Sequence, residues 1–87
     1  MKKHTKIYCD YFAIGEQDYV SCEWCGCRRA VDIHHIEPRK RGGSKDKDYI
    51  ENLMGLCREC HIEAEAKRIS KEELTKVHLK RVKQKSL

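Results

Sequence analysis

The chain has no apolar run long enough to cross a membrane or to form the core of a secretory signal, and its first ten residues, MKKHTKIYCD, are basic rather than hydrophobic. Those absences lead to the expectation of a cytosolic protein in which thiols stay reduced. Aromatic residues make up only 7% of the sequence, which argues against an extended surface for stacking single-stranded bases. Hydrophobic residues, at 39% against 38% charged, leave 87 residues with a thin core and material for one domain over residues 1–87. No internal repeat or low-complexity linker divides the chain. A domain this small and polar needs a staple, either disulfide or metal.

Six cysteines can supply it, and their spacing favours metal. Cys22-x-x-Cys25 and Cys57-x-x-Cys60 are paired-thiolate units with 31 residues between them. Two such knuckles offer the tetrahedron of soft ligands that zinc prefers. The gap exceeds that of a simple zinc ribbon, so a sizeable insert should lie between the knuckles. Zinc closing that insert would contribute roughly 10–16 kcal/mol of apparent binding energy to a weak core. Cys27 lies two residues beyond Cys25 and Cys9 has no partner nearby, so both read as free thiols. Trp24, inside the first knuckle, reads as a packing residue.

The net charge is +5, from 19 Lys and Arg against 14 Asp and Glu, and four thiolates with one zinc would lower it to about +3. Its distribution says more than its total. Arg39, Lys40, Arg41, Lys45 and Lys47 cluster in a Gly-rich stretch, and residues 67–87, which include Lys80 and Arg81, are strongly basic. Either cluster suits contact with the phosphates of a nucleic acid, and either also suits a solvated face.

Apolar residues Ile7, Tyr8, Tyr11 and Phe12 recur at helical spacing from Thr5 to about Ile14, with Gly15 as a stop. Ala30 to Ile36 is short and β-branched and predicts a strand that Pro38 ends. Residues 39–48 are polar, carry Gly42-Gly43 and predict a long exposed loop, after which Leu53–Leu56 forms a second strand. Cys57 to about Ile69 predicts a helix. Ser70-Lys-Glu-Glu73 is a capping box that should open a basic last helix over about 70–85, packed through a thin stripe of Leu74, Val77 and Val82.

Three histidines stand beside the knuckles. His34 and His35 are adjacent on the first strand and so project to opposite faces, which favours one as a metal ligand and the other as a general base. His61 follows Cys60 and is rotated about 100° around the helix from it, so it should face the strand pair rather than the zinc. There it would converge with His34, and two imidazoles leave positions open for water and phosphate oxygens. His4 is expected in a mobile terminus, and His78 on a solvent-facing side of the last helix.

Taken in order, Cys22-x-x-Cys25, Asp32-Ile-His34-His35-Ile-x-Pro38, Gly42-Gly43, Asn52-Leu53 and Leu56-Cys57-Arg-Glu-Cys60-His61 resemble an HNH endonuclease domain of the four-cysteine type, over roughly residues 21–62. The resemblance implies a small, zinc-stabilised α+β fold whose core is the ββα-metal (His-Me finger) motif, flanked here by N- and C-terminal helices. It implies that His35 is the general base, that His34 and His61 hold a divalent cation (Mg²⁺, Mn²⁺ or a transition metal), and that Asn52 braces the loop and the base. The structural zinc would sit on Cys22, Cys25, Cys57 and Cys60. The implied activity is metal-dependent hydrolysis of DNA phosphodiester bonds, as nicks, with Arg39, Lys40, Arg41, Lys45, Lys80 and Arg81 touching mostly backbone.

Freestanding relatives this small belong to phages and mobile elements, which implies the cytoplasm of a bacterial or phage-infected cell and leaves room for a larger phage or mobile-element protein as partner. Some relatives carry a further histidine where this chain has Glu65, which can join the metal or pair with a nearby Lys or Arg. Arg58 and Glu59 receive no role. A non-catalytic zinc-dependent nucleic-acid-binding module, or an accessory subunit of a packaging or homing complex, is the alternative. It accounts for the cysteines and the basic tail and leaves the His pair and His61 without a purpose.

Overall fold

The structure, a computed structural model, describes residues 2–15, 17–38 and 47–86. Loop residues Arg39, Lys40, Arg41 and Lys45 therefore lie outside the described residues. On either side of residues 39–46 the two short apolar segments pair as strands. β1 (Asp32–His35) runs antiparallel to β2 (Leu53–Leu56), with Asp32 opposite Leu56 and His35 opposite Leu53. All four residues of β2 are buried, whereas β1 is half-covered. The sheet therefore has an interior strand that anchors it and an outer strand that presents side chains.

Three helices close over the pair: α1 (Lys3–Tyr11), α2 (Arg58–Glu65) and α3 (Lys71–Ser86), with a short 3-10 turn at Ile50–Asn52 leading into β2. Among the described residues, the chain is thus a small α+β fold in which β1, β2 and α2 form the ββα unit. The core cluster joins Ile36, Met54, Leu56, Ala64 and Leu74 to Cys22, Cys57 and Cys60, with Trp24, Ile69 and Val77 packed against it. The cysteines are part of the core itself. Trp24 packs where the sequence suggested.

Helix ends differ from the periodicity in informative ways. α1 stops at Tyr11, ahead of Gly15, because Ala13 takes a left-handed conformation (φ 55°) while the amide of Phe12 still bonds to Tyr8. α2 ends four residues short of Ile69. Lys67 is left-handed (φ 63°), its amide bonds back to Ala64 and that of Arg68 to Glu63, and the reversal lets Ile69 pack inward. α3 begins where the capping box placed it, and the amide of Glu73 donates to Ser70 Oγ at 3.1 Å.

His78 is the main correction. It was expected to face solvent on α3 and is instead completely buried. Its Nδ1 lies 2.7 Å from Glu23 Oε1, and its Nε2 lies 2.6 Å from the carbonyl oxygen of Ile50. Both neighbours are acceptors, so both ring nitrogens must donate, which makes the ring an imidazolium paired with a carboxylate. Burial alone would depress its pKa, but the hydrogen bond and charge of Glu23, with the Ile50 carbonyl, raise it above the ordinary 6.5. Glu23 Oε2 also accepts from Tyr8 Oη at 2.5 Å and from the amide of Gly55 at 2.9 Å. One buried carboxylate thus ties α1, β2 and α3 to the first knuckle.

Gly55 makes this possible. A Cβ there would lie 2.7 Å from Tyr8 Oη, too close for the tyrosine to keep its place. His78→Ala should lower unfolding free energy by about 3–5 kcal/mol, because it strands Glu23 without its counter-charge. Since the folded pKa of His78 is raised, the stability it contributes is complete below pH 6.5 and is lost as pH climbs through the raised value. Urea unfolding of wild type and His78→Gln across that range should converge on the alkaline side.

Candidate functional site

The first knuckle is a tight turn whose arms pair at Ser21 and Arg29, with the amide of Cys22 on Arg28 at 2.8 Å and left-handed Gly26 (φ 67°) at its tip. The second knuckle is the start of α2, where Cys57 is the N-cap and its sulfur accepts from the amide of Cys60 at 3.4 Å. Folding brings the sulfurs of Cys22, Cys25, Cys57 and Cys60 within 4.8 Å of one another, and those of Cys25 and Cys57 to 3.9 Å. Two sulfurs on one tetrahedral zinc lie about 3.8 Å apart, so the cluster has the dimensions such an ion requires.

The thiols differ in readiness for a cation. Backbone amides of Cys27 and Arg28 hold Cys25 down to about 6, whereas burial pushes Cys57 and Cys60 up. A cation that takes all four as thiolates would remove that penalty. Cys27 is exposed and Cys9 half-buried, and neither belongs to the cluster.

A second group forms where β1 faces α2. Alternation along the strand places Asp32 and His34 on one face, and His61, one residue past Cys60, turns toward them. The rings of His34 and His61 lie 5.0 Å apart, edge to face at 67°. His61 Nδ1 is 3.0 Å from Asp32 Oδ2, and its Nε2 is 3.2 Å from Glu65 Oε1, one helical turn along. His34 Nδ1 is buried, makes no hydrogen bond, and lies 3.6 Å from the same Glu65 oxygen. One donor atom from each of His34, His61 and Glu65 falls within 4.8 Å of the others.

That buried, unpartnered nitrogen is the observation that tests the fit of a cation. A buried imidazole nitrogen without a hydrogen bond is costly unless something else coordinates it. Burial, with His61 nearby, lowers the His34 pKa and keeps the ring in the neutral form that binds metal. Asp32 Oδ2 accepts from His61 Nδ1, so a cation lying between His61, His34 and Glu65 would take the Nε2 lone pair. Among the described residues, Glu65 thus faces two histidines.

On the opposite face of β1, His35 Nε2 is 2.7 Å from Asp48 Oδ1. His35 still lines one pocket of about 300 Å³ with His34, His61, Glu65 and Pro38. Asn52 is buried, and its amide joins the two ends of the loop: Oδ1 accepts from the amide of Glu37 at 2.7 Å, while Nδ2 donates to the carbonyls of Glu37 and Lys47 at 3.0 Å each. His35 itself is held by Asp48. His4, far from lying in a loose terminus, is on the first turn of α1 with its ring 4.9 Å from that of His35, because α1 packs on β1.

The basic residues divide. Lys80 is exposed on α3, and Arg81 lines a different pocket with Tyr8, Phe12 and Tyr19, in which none of the histidines appears. Arg58 Nε contacts Asp32 at 3.5 Å and Glu59 pairs with Arg28 at 3.3 Å, so both knuckle residues brace neighbours. Two site residues, Asp32 and Asp48, received no role from the sequence, whereas Glu65 was left open between the metal and a Lys or Arg. Asp32 could have been found from its place two residues before His34, on the same strand face. Asp48 carried no such signal within a polar stretch.

Over residues 22–67, just over half of the chain, the sequence matches the family described as HNH endonuclease. No curated protein and no solved structure matches it. The contacts around Asp32 give a specific expectation. Asp32→Asn should weaken divalent-ion binding at His34, His61 and Glu65 by about 10–100-fold, by calorimetric titration, while leaving the metal of the cysteine cluster in place.

Proposed function

The chain belongs to the HNH endonuclease family, and from that premise we propose that it is a metal-dependent DNA endonuclease acting through His35 beside a cation held by His34 and His61. The supporting observation is the meeting, in one pocket, of a buried imidazole nitrogen without a hydrogen-bond partner and a second imidazole whose other nitrogen is occupied by a carboxylate. The family acts on nucleic acid, and among the described residues no helix is long and apolar enough to cross a membrane.

In this reading Asp48 accepts the Nε2 hydrogen of His35 and leaves the lone pair on Nδ1. His35 Nδ1 takes a proton from water as its oxygen attacks the scissile phosphorus, and the P–O bond to the leaving 3′ oxygen breaks. A divalent cation on His34 and His61 would offset the negative charge that grows on the phosphate oxygens and on that leaving oxygen. Glu65 adds an oxygen donor, Asp32 orients His61, and Asn52 keeps the loop ends together so that Asp48 reaches His35. Zinc on Cys22, Cys25, Cys57 and Cys60 serves structure alone, since four thiolates leave no open position.

DNA is held through its phosphates, with Arg39, Lys40, Arg41 and Lys45 of the loop and Lys80 and Arg81 of α3 as the basic residues available. One hydrolytic cluster per chain nicks a single strand. His35→Ala should slow nicking of supercoiled plasmid with Mg²⁺ or Mn²⁺ by about 10²–10⁴-fold while DNA still binds in a salt-sensitive way. Equal nicking rates for the two proteins, or none with any divalent ion, would end this reading. Asp48→Asn should retain part of the rate, because an amide can still accept from Nε2 but lacks the charge that supports the imidazolium.

A further inference from the structure

β1 sends His34 toward α2 and His35 the other way, and on that other face a second donor set comes together from three separate parts of the chain. His4 comes from the first turn of α1, His35 from the end of β1, and Asp48 from the segment just ahead of the 3-10 turn. One donor atom from each lies within 4.8 Å of the other two. The rings of His4 and His35 meet edge to face at 4.9 Å, and His35 Nε2 is already 2.7 Å from Asp48 Oδ1. The side chains of His35 and Asp48 are largely covered, only 15% and 4% exposed, which would shield an ion held between them and His4.

We propose that His4, His35 and Asp48 form a second cation site, selective for borderline transition ions such as Zn²⁺ or Co²⁺, whose occupation switches off His35 as a base. Two imidazole nitrogens and one carboxylate oxygen suit zinc, cobalt or nickel, whereas Mg²⁺ demands an octahedron of oxygens and stays hydrated. Donors on one tetrahedral ion at 2.0–2.1 Å lie about 3.4 Å apart, so the His35–Asp48 contact must open by about 0.7 Å to admit it. A change of that size needs only a small side-chain rotation at His35, the last residue of β1.

The inhibitory consequence follows from the tautomer and rests on the nuclease reading. A neutral imidazole has one lone pair and one N–H. With Asp48 accepting from Nε2–H, the lone pair is on Nδ1 and can take a proton from water. When the Nε2 lone pair goes to a metal ion, solvent carries the displaced proton away and Nδ1 becomes the N–H, so it no longer accepts. The same ions that fit the cluster of His34, His61 and Glu65 would therefore support cleavage at low concentration and suppress it at higher concentration, while Mg²⁺ would show only the first effect.

The test uses the full chain with its cysteine cluster loaded with zinc, dialysed against Co²⁺, with bound zinc and cobalt measured together. Wild type should bind two Co²⁺ per chain beyond the cysteine-held ion. His4→Ala and Asp48→Asn should each lose one or weaken it at least about tenfold, and His34→Ala should lose the other. In parallel, Zn²⁺ is titrated into Mg²⁺-supported nicking, and His4→Ala should need about tenfold more for half-inhibition. Two ions bound equally tightly by wild type, His4→Ala and Asp48→Asn would overturn the proposal, as would wild-type binding of one ion that His34→Ala abolishes. If no protein nicks DNA with any metal, the nuclease reading fails while the cobalt count still decides the site.

Discussion

Closure of Cys22 and Cys25 onto Cys57 and Cys60 is the constraint on which the remaining geometry depends. Cys22, Cys57 and Cys60 belong to the same buried cluster as Ile36, Met54, Leu56, Ala64 and Leu74, and Cys25 packs against it, so the candidate metal-binding group and the hydrophobic core are one body. In a chain with so little apolar surface, an ion held there, with a binding energy of roughly 10 kcal/mol or more, would outweigh any single packing contact. The same closure sets the functional register. It plants the first turn of α2 beside β1, and because His61 follows Cys60 directly, orienting the helix for the sulfurs also turns His61 to Asp32 and His34.

A second constraint lies inside the same knuckle. Glu23, one residue after a cysteine, is buried with Tyr8, His78 and the amide of Gly55 as partners. A fully partnered buried carboxylate contributes specificity more surely than net stability. It defines where α1 and α3 dock on the ββα unit, and the docking of α1 delivers His4 to His35. The accessory helices are thus fastened through polar contacts in the core, which compensates for the thin apolar stripe on α3.

β1 separates two kinds of chemistry by alternation alone. Asp32 and His34 face α2, where carboxylate and imidazole groups converge on a buried nitrogen that lacks a hydrogen bond. His35 faces away, where Asp48 holds one of its nitrogens. Two histidines that are adjacent in the chain are kept on different sides, because a strand cannot point neighbours the same way. Asn52 holds the loop ends close enough for Asp48 to serve His35.

Much of this was legible in the residues. Two Cys-x-x-Cys units, an adjacent histidine pair on a β-branched segment and a histidine just past a cysteine are local patterns. Strand alternation and the helical 100° step convert them into directions without a structure. The capping box at Ser70 marked the start of α3 for the same reason: its contact spans three residues. What the tertiary structure decided were partnerships across long separations. Glu23 and His78 are 55 residues apart, and Asp32 and His61 are 29 apart. His78 on a basic helix and His4 near a terminus have no local feature that distinguishes a solvent-facing ring from a buried one. Burial is a property of what packs against a residue. The chain's own letters therefore settle which chemistry is available and which way each element points it, and only the packed fold settles which groups meet.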